Sequence, residues 1–321
     1  MLRVYGCILK KLVLLTVVIF CLSLLIQTGC RGQQGKPKGA PDKEPNILLY
    51  INETGEKKNV DMEEYLMGVV AAEMDPNWPE NALAAQAILA RTFTMENINA
   101  GRVRELHDAD ASTSTEEFQA YDPTRINAGV RNAINKTRGE VVTYDGEYIK
   151  AWFSASCGGL TASPKEGLGF TEEPTPYIKS QIEDPGITIT TPENKGWISV
   201  IPLEHLRKAM QEFTGNDPGK ITSVEVVEWG PSGRAQKIRF NSQVVSAPEF
   251  RIAVGSEMLR SIFFTETPHI QGDSIIFNGK GFGHGVGMCQ WGANKLAQDG
   301  KTPEEIINFY FQDIQIQKLW S

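Results

Sequence analysis

The sequence predicts an α+β domain, and three observations carry that prediction. Apolar residues recur at helical spacing in some segments, namely 61–74, 80–97 and 203–213. Others alternate with period two around turn signals, as at 139–156 and 221–241. The two kinds of segment do not alternate strictly, so a doubly wound parallel sheet is not indicated.

Taken in order, Asn46–Asn52 reads as a strand and Gly55 as a turn. Asp61 precedes a helix through Met74, with Glu64 placed for a capping box and Tyr65, Leu66, Val69 and Val70 on one apolar face. The run Pro76–Pro79 breaks it. An Ala-rich helix follows from Glu80 to about Asn97. His107–Tyr121 is a polar loop ending in a short strand, and Arg125–Lys136 a helix. Gly139–Ser156 is a hairpin turning at Asp145-Gly146. A Pro-containing loop spans Ser163–Lys195. Further helices are expected at Leu203–Phe213, Ala247–Val254 and Pro303–Phe311. Strands are expected at Ile221–Glu228, Ala235–Asn241 and Ser274–Asn278.

The first thirty residues differ. Arg3, Lys10 and Lys11 precede an apolar run, Leu12–Ile26, then Gln27-Thr28-Gly29-Cys30. The run is short for a bilayer span and fits a secretory leader, with Cys30 as a lipidation site; an uncleaved signal anchor is the alternative. Either places the chain outside the cytoplasm, tethered to the membrane. Residues 31–45, rich in Gly, Lys, Gln and Pro, read as a flexible linker, leaving 46–321 as the folded domain. Of five cysteines only Cys157 and Cys289 fall there, so the fold rests on its core. The 321 residues are 41% hydrophobic, ample for one, and the net charge of -7 argues against nucleic acid as a partner.

Two segments carry chemistry. Glu73 ends an apolar helix beside Met74 and near Trp78; partial desolvation there would favour its protonated form, as a general acid needs. Alternatively, it is a solvated helix-end carboxylate. The second segment runs from Gly279 to Ala293, and five of its first nine residues are glycine. It lacks the ending of a phosphate-binding loop. Its glycines would let backbone approach a ligand and hold His284 on a tight loop. Gln290 and Trp291 offer a polar contact and a stacking face, or are core.

The helix ending Ala71-Ala72-Glu73-Met74, the run Ala85-Gln86-Ala87 to Ala90-Arg91-Thr92, and the loop from Gly283-His284-Gly285 through Gln290-Trp291-Gly292 together resemble the stage II sporulation protein D family. That family includes domains described as amidase enhancers. Gln119-Ala120-Tyr121, Cys157-Gly158-Gly159, Ser232-Gly233-Arg234 and Phe250-Arg251 add to the likeness, which covers 47 to the end of the sequence. The resemblance implies a lytic transglycosylase with a substrate cleft, cutting peptidoglycan glycan strands between N-acetylmuramic acid and N-acetylglucosamine and leaving 1,6-anhydro ends. Glu73 would be catalytic, and Gln86, Arg91, His284 and Gln290 would contact substrate. No cofactor is implied. A partner amidase and membrane proteins of the engulfment machinery are the expected partners. A non-catalytic glycan binder that stimulates an N-acetylmuramoyl-L-alanine amidase is the alternative.

Some family members carry His and a second Cys near Cys157 and bind zinc there. Here Ser154 stands where His is common, so no metal is expected. Cys289 joining Cys157 in space, as a ligand or in a disulfide, is the alternative. Cys157 as a nucleophile lacks an evident base, and Asp108 and Asp110 are the fallback carboxylates should Glu73 not serve.

Overall fold

The helix Glu80–Ala100 (α2) is apolar on every side from Ala82 to Leu89 apart from Gln86, and every residue from 82 to 92 is buried. A helix apolar all round belongs at the centre of a core. The computed structural model, which describes residues 35–321, places it there. Around α2 pack Met62–Glu73 (α1), Ala128–Lys136 (α3), Gln290–Gln298 (α6), Pro303–Tyr310 (α7) and the strand Glu140–Tyr144 (β4). Its alanines let these neighbours approach closely.

The first strands, Asn46–Ile51 (β1) and Glu56–Asp61 (β2), form an antiparallel hairpin. The short strand Ala111–Ser112 (β3) adds in parallel to β1. β4 pairs briefly with Glu147–Tyr148 (β5) on one edge and with Gln315–Lys318 (β14) on the other. Phe153–Ser154 (β6) runs parallel to Met288–Cys289 (β13).

A second apolar cluster lies within the same compact unit, Pro37–Ser321. There Leu203–Thr214 (α4) packs on Ala247–Val254 (α5), over two three-stranded sheets. One holds Val224–Trp229 (β8), Ala235–Phe240 (β9) and Gln243–Ser246 (β10). The other holds Trp197–Pro202 (β7), His269–Gln271 (β11) and Ser274–Gly279 (β12). Buried Arg234 ties the clusters together, donating to the carbonyls of Cys157 (2.7 Å) and Leu160 (2.9 Å).

Most expected elements are present, and the mixed α+β class holds. Several details differ. The linker does not extend to residue 45. Pro37 is buried, Asn99 donates to the Lys38 carbonyl (3.0 Å), and Glu44 pairs with Arg138 while accepting the Glu63 N–H (2.9 Å). The expected Asp61–Glu64 capping box does not form. Asp61 instead accepts from Asn46 (3.1 Å), and Glu44 supplies an acceptor to the first turn of α1. The 139–156 hairpin is abortive: β5 pairs with β4 only at Thr143–Tyr148 and Tyr144–Glu147, and the return strand leaves the sheet there. The leader and Cys30 lie outside the described residues.

Candidate functional site

Glu73 is the last residue of α1 and is part-buried. Its Oε1 accepts the Ala120 N–H at 2.9 Å, and its Oε2 accepts from Gln290 Nε2 at 3.3 Å. The same Gln290 nitrogen lies 3.4 Å from Gln86 Oε1. Three residues far apart in sequence thus meet. α1 supplies the carboxyl, the buried face of α2 supplies Gln86, and the first turn of α6 supplies Gln290. Beside them Trp78 and Trp291 pack edge to face, centroids 4.7 Å apart.

Burial pushes the Glu73 pKa above the ordinary carboxylic range, opposed by the Ala120 N–H and the Gln290 amide. Both donors are neutral. The buried Gln86 Nε2 has no partner among the described residues.

The segment 119–121 acts as a clamp on Glu73. Gln119 is buried and donates to Thr94 Oγ1 (3.0 Å). Tyr121 stacks on Tyr65, with centroids 5.6 Å apart, over Gly68, where a Cβ would lie 2.3 Å from the Tyr121 ring. The Asp122 N–H donates to the Gly68 carbonyl at 3.1 Å. Ala120 between them aims its N–H at the carboxyl. The sequence reading noted Gln119-Ala120-Tyr121 only as a likeness; the donor is backbone and leaves no residue-type signal.

Two of the expected substrate contacts are not at this site. Arg91 is fully buried and forms a two-pronged pair with Glu63, Nη2 to Oε2 at 2.6 Å and Nε to Oε1 at 3.1 Å. Glu63 Oε1 also accepts the Gly139 N–H (3.0 Å) and the Trp320 indole N–H (2.9 Å). Arg91 is therefore structural. It is enclosed by its partners and is not among the groups that act on the Glu73 pKa, so the tension between the two residues disappears.

His284 is likewise occupied. Its Nδ1 accepts the Val286 N–H (3.0 Å), and the ring donates to the Phe153 backbone carbonyl. Burial, helped by the Arg251 and Arg234 cations, lowers its pKa to about 3, so the imidazole is neutral. Nor do the loop glycines make room for a ligand. A Cβ on Gly287 would lie 2.0 Å from the Trp152 carbonyl oxygen, and one on Gly285 would lie 2.3 Å from Arg234 Nη2. The close approach they permit is to the protein itself.

Asp108 pairs with Lys57, and Asp110 accepts the Leu48 N–H (2.9 Å) and pairs with Arg104. Both serve the β1 neighbourhood. Cys157 is 1% exposed, which disfavours a nucleophilic role. Its nearest titratable neighbours are Cys289 and Asp184, the latter unremarked in the sequence.

The architecture is that of a mixed helix-sheet domain presenting a part-buried carboxyl whose pKa burial raises, held by the Ala120 N–H and the Gln290 amide. The chain belongs to the stage II sporulation protein D family. The family model described as stage II sporulation protein matches residues 50–144, which hold Glu73, Gln86 and the 119–121 clamp. A second, described as a domain of unknown function (DUF8618), matches 184–287 and takes in the second apolar cluster. An uncharacterized protein of Brachyspira hyodysenteriae is 32% identical over 272 residues, 84% of this chain and 69% of its own length. The stage II sporulation protein D of Bacillus subtilis is 29% identical over 287 residues, 85% of this chain and 79% of that one. A Bacillus subtilis protein named amidase enhancer is 26% identical over 291 residues, 77% of this chain but 39% of its own.

Proposed function

We propose that this protein is an exported, membrane-tethered lytic transglycosylase of the cell wall, acting on peptidoglycan glycan strands in sporulation or wall remodelling, with Glu73 as its acid and base. The observation that carries the reading is the setting of Glu73. Its carboxyl has its pKa raised by burial, and its hydrogen-bond donors are neutral.

The chemistry needs one group in two states. Protonated Glu73 gives its proton to the glycosidic oxygen leaving N-acetylmuramic acid, and burial favours that state. The resulting carboxylate takes the proton of the sugar's 6-hydroxyl as that oxygen closes on the anomeric carbon. The product is a 1,6-anhydro sugar. Ala120 N–H and Gln290 Nε2 stabilise the carboxylate during this second half. A second carboxylate to activate water is not required, unlike a two-carboxylate hydrolase. Trp78 and Trp291 offer apolar faces for a sugar ring, and Gln86 holds Gln290 in register.

The competing reading is a glycan-binding modifier of a partner amidase, favoured by the relative named amidase enhancer. Incubating the protein with peptide-free glycan strands separates the two. Mass spectrometry should find anhydro-ended fragments with the native chain and none with Glu73→Gln. General acid catalysis is worth about 10²–10⁴-fold, and the loss should lie at or above that range. Glycan binding with no anhydro product from the native chain would favour the enhancer.

A further inference from the structure

Cys157 and Cys289 are 132 residues apart in sequence and each only 1% exposed. Their sulfurs and a carboxylate oxygen of Asp184 all lie within 4.8 Å of one another. The Cys157 N–H points at Cys289 Sγ from 3.4 Å. Neighbouring backbone pairs hold the two segments side by side: Ser154 is in register with Cys289 in the β6–β13 pair, and Ser156 bridges to Phe282. We propose that these two cysteines close a disulfide when the chain folds outside the reducing cytoplasm. That compartment rests on the proposed export, whereas the pairing rests on the geometry.

Asp184 explains why this centre tolerates the loss of two thiol hydrogens. The Cys289 thiol reaches the Ala155 carbonyl (3.9 Å), and the Asp184 carboxylate receives the Tyr310 hydroxyl (2.6 Å) and the Gly186 N–H (2.9 Å). Once the thiol protons are gone the carboxylate keeps two donors and is not orphaned. A metal fits less well. Among the described residues only these three side chains converge, whereas structural zinc takes four ligands, and both Asp184 oxygens are already engaged.

The step is thiol–disulfide exchange with an exported dithiol oxidoreductase in its disulfide form. One cysteine thiolate attacks a sulfur of that enzyme and forms a mixed disulfide. The second attacks the sulfur of the first, the Cys157–Cys289 bond forms, and the enzyme leaves as a dithiol, its two sulfurs taking up the two protons that Cys157 and Cys289 gave. Burial raises the Cys289 pKa well above its ordinary value, and both sulfurs are shut away from an incoming enzyme in the folded protein. Exchange therefore precedes the docking of α6, and burial then shields the bond. Cys289 immediately precedes Gln290, so the bond also clasps the residue that holds Glu73.

The test is made on the full chain, reduced and unfolded, then refolded in detergent with oxidised and reduced glutathione. Free thiols are alkylated in denaturant and peptides mapped by mass spectrometry. The expected result is a linked pair containing Cys157 and Cys289, resistant to alkylation. Alkylation of both, or a dithiol form retaining one zinc per chain, would overturn the inference. Peptides from the same chain taken directly from cells serve as a second arm. A link that forms on refolding but is missing in cells would count against export and leave the pairing intact. Glycan cleavage by Glu73 enters neither readout.

Discussion

At the scale of single residues, Glu73 and Arg91 show opposite uses of a buried charge. Glu73 is held in a setting that disfavours its ionised form. Its pKa is raised in the folded state, so its contribution to stability is fullest below the unfolded value near 4.5. That contribution is lost as pH rises through the higher folded value. Glu73→Gln removes the ionisation. The variant should melt at or above the native temperature at pH 7–8, and the advantage should vanish below pH 4.5, as calorimetry across pH would show. The native rate of anhydro-product release should likewise fall on the alkaline side, where the acid form is depleted. Arg91 is the reverse case, since its charge is matched by Glu63. Arg91→Ala leaves that carboxylate buried without its cation and should cost about 3–5 kcal/mol in urea unfolding. Glu73, Gln86 and Gln290 were legible from motifs alone. The partners that enclose Arg91 and His284 were not, because they are remote in sequence (Glu63, or the backbone at Phe153).

At the scale of elements, the site depends on a fit between α1 and the strand-like segment after β3. Gly68 is the notch in α1 that receives Tyr121. Gly68→Ala should push the ring away and carry the Ala120 N–H off Glu73. We expect a stability loss of about 1–3 kcal/mol, from overpacking, and a further rise in the Glu73 pKa. Carbon-13 carboxyl titration by NMR would read that pKa directly, and an unchanged value would show that the clamp does not act on Glu73. α4, with a strong internal period, and α2, Ala-rich and preceded by Pro79, were readable from sequence. β2 was not: Glu56–Asp61 is almost wholly exposed and carries no alternation, and its strand form comes from pairing with β1. α6 was missed because it springs directly from β13 at the end of the glycine run.

At the scale of the whole chain, Glu63 gathers distant segments. Glu44 accepts its backbone N–H, while its carboxylate receives Arg91 of α2, the backbone at Gly139 just before β4, and the Trp320 indole. Trp320 is 4% exposed, and a Cβ on Gly139 would meet its carbonyl oxygen at 2.1 Å. Removing residues 319–321 should therefore cost about 3–5 kcal/mol, comparable to emptying a buried tryptophan site, and should show as a lowered denaturant midpoint. Adding back the Gly139–Trp320 contact by sequence is impossible to foresee, since nothing local marks either residue as its partner.

The convergence on Glu63 also sets the order of events when the chain is made. α1 and α2 emerge early and can find each other, but the indole that completes the centre is 257 residues further on. Until it arrives, a buried carboxylate lacks one of its donors and the helix bearing Glu73 rests on an unfinished footing. A chain released before Trp320 would carry that defect permanently. The centre thus acts as a check on length: α1, with Glu73 at its end, is seated firmly only in molecules synthesised as far as the segment that closes over it.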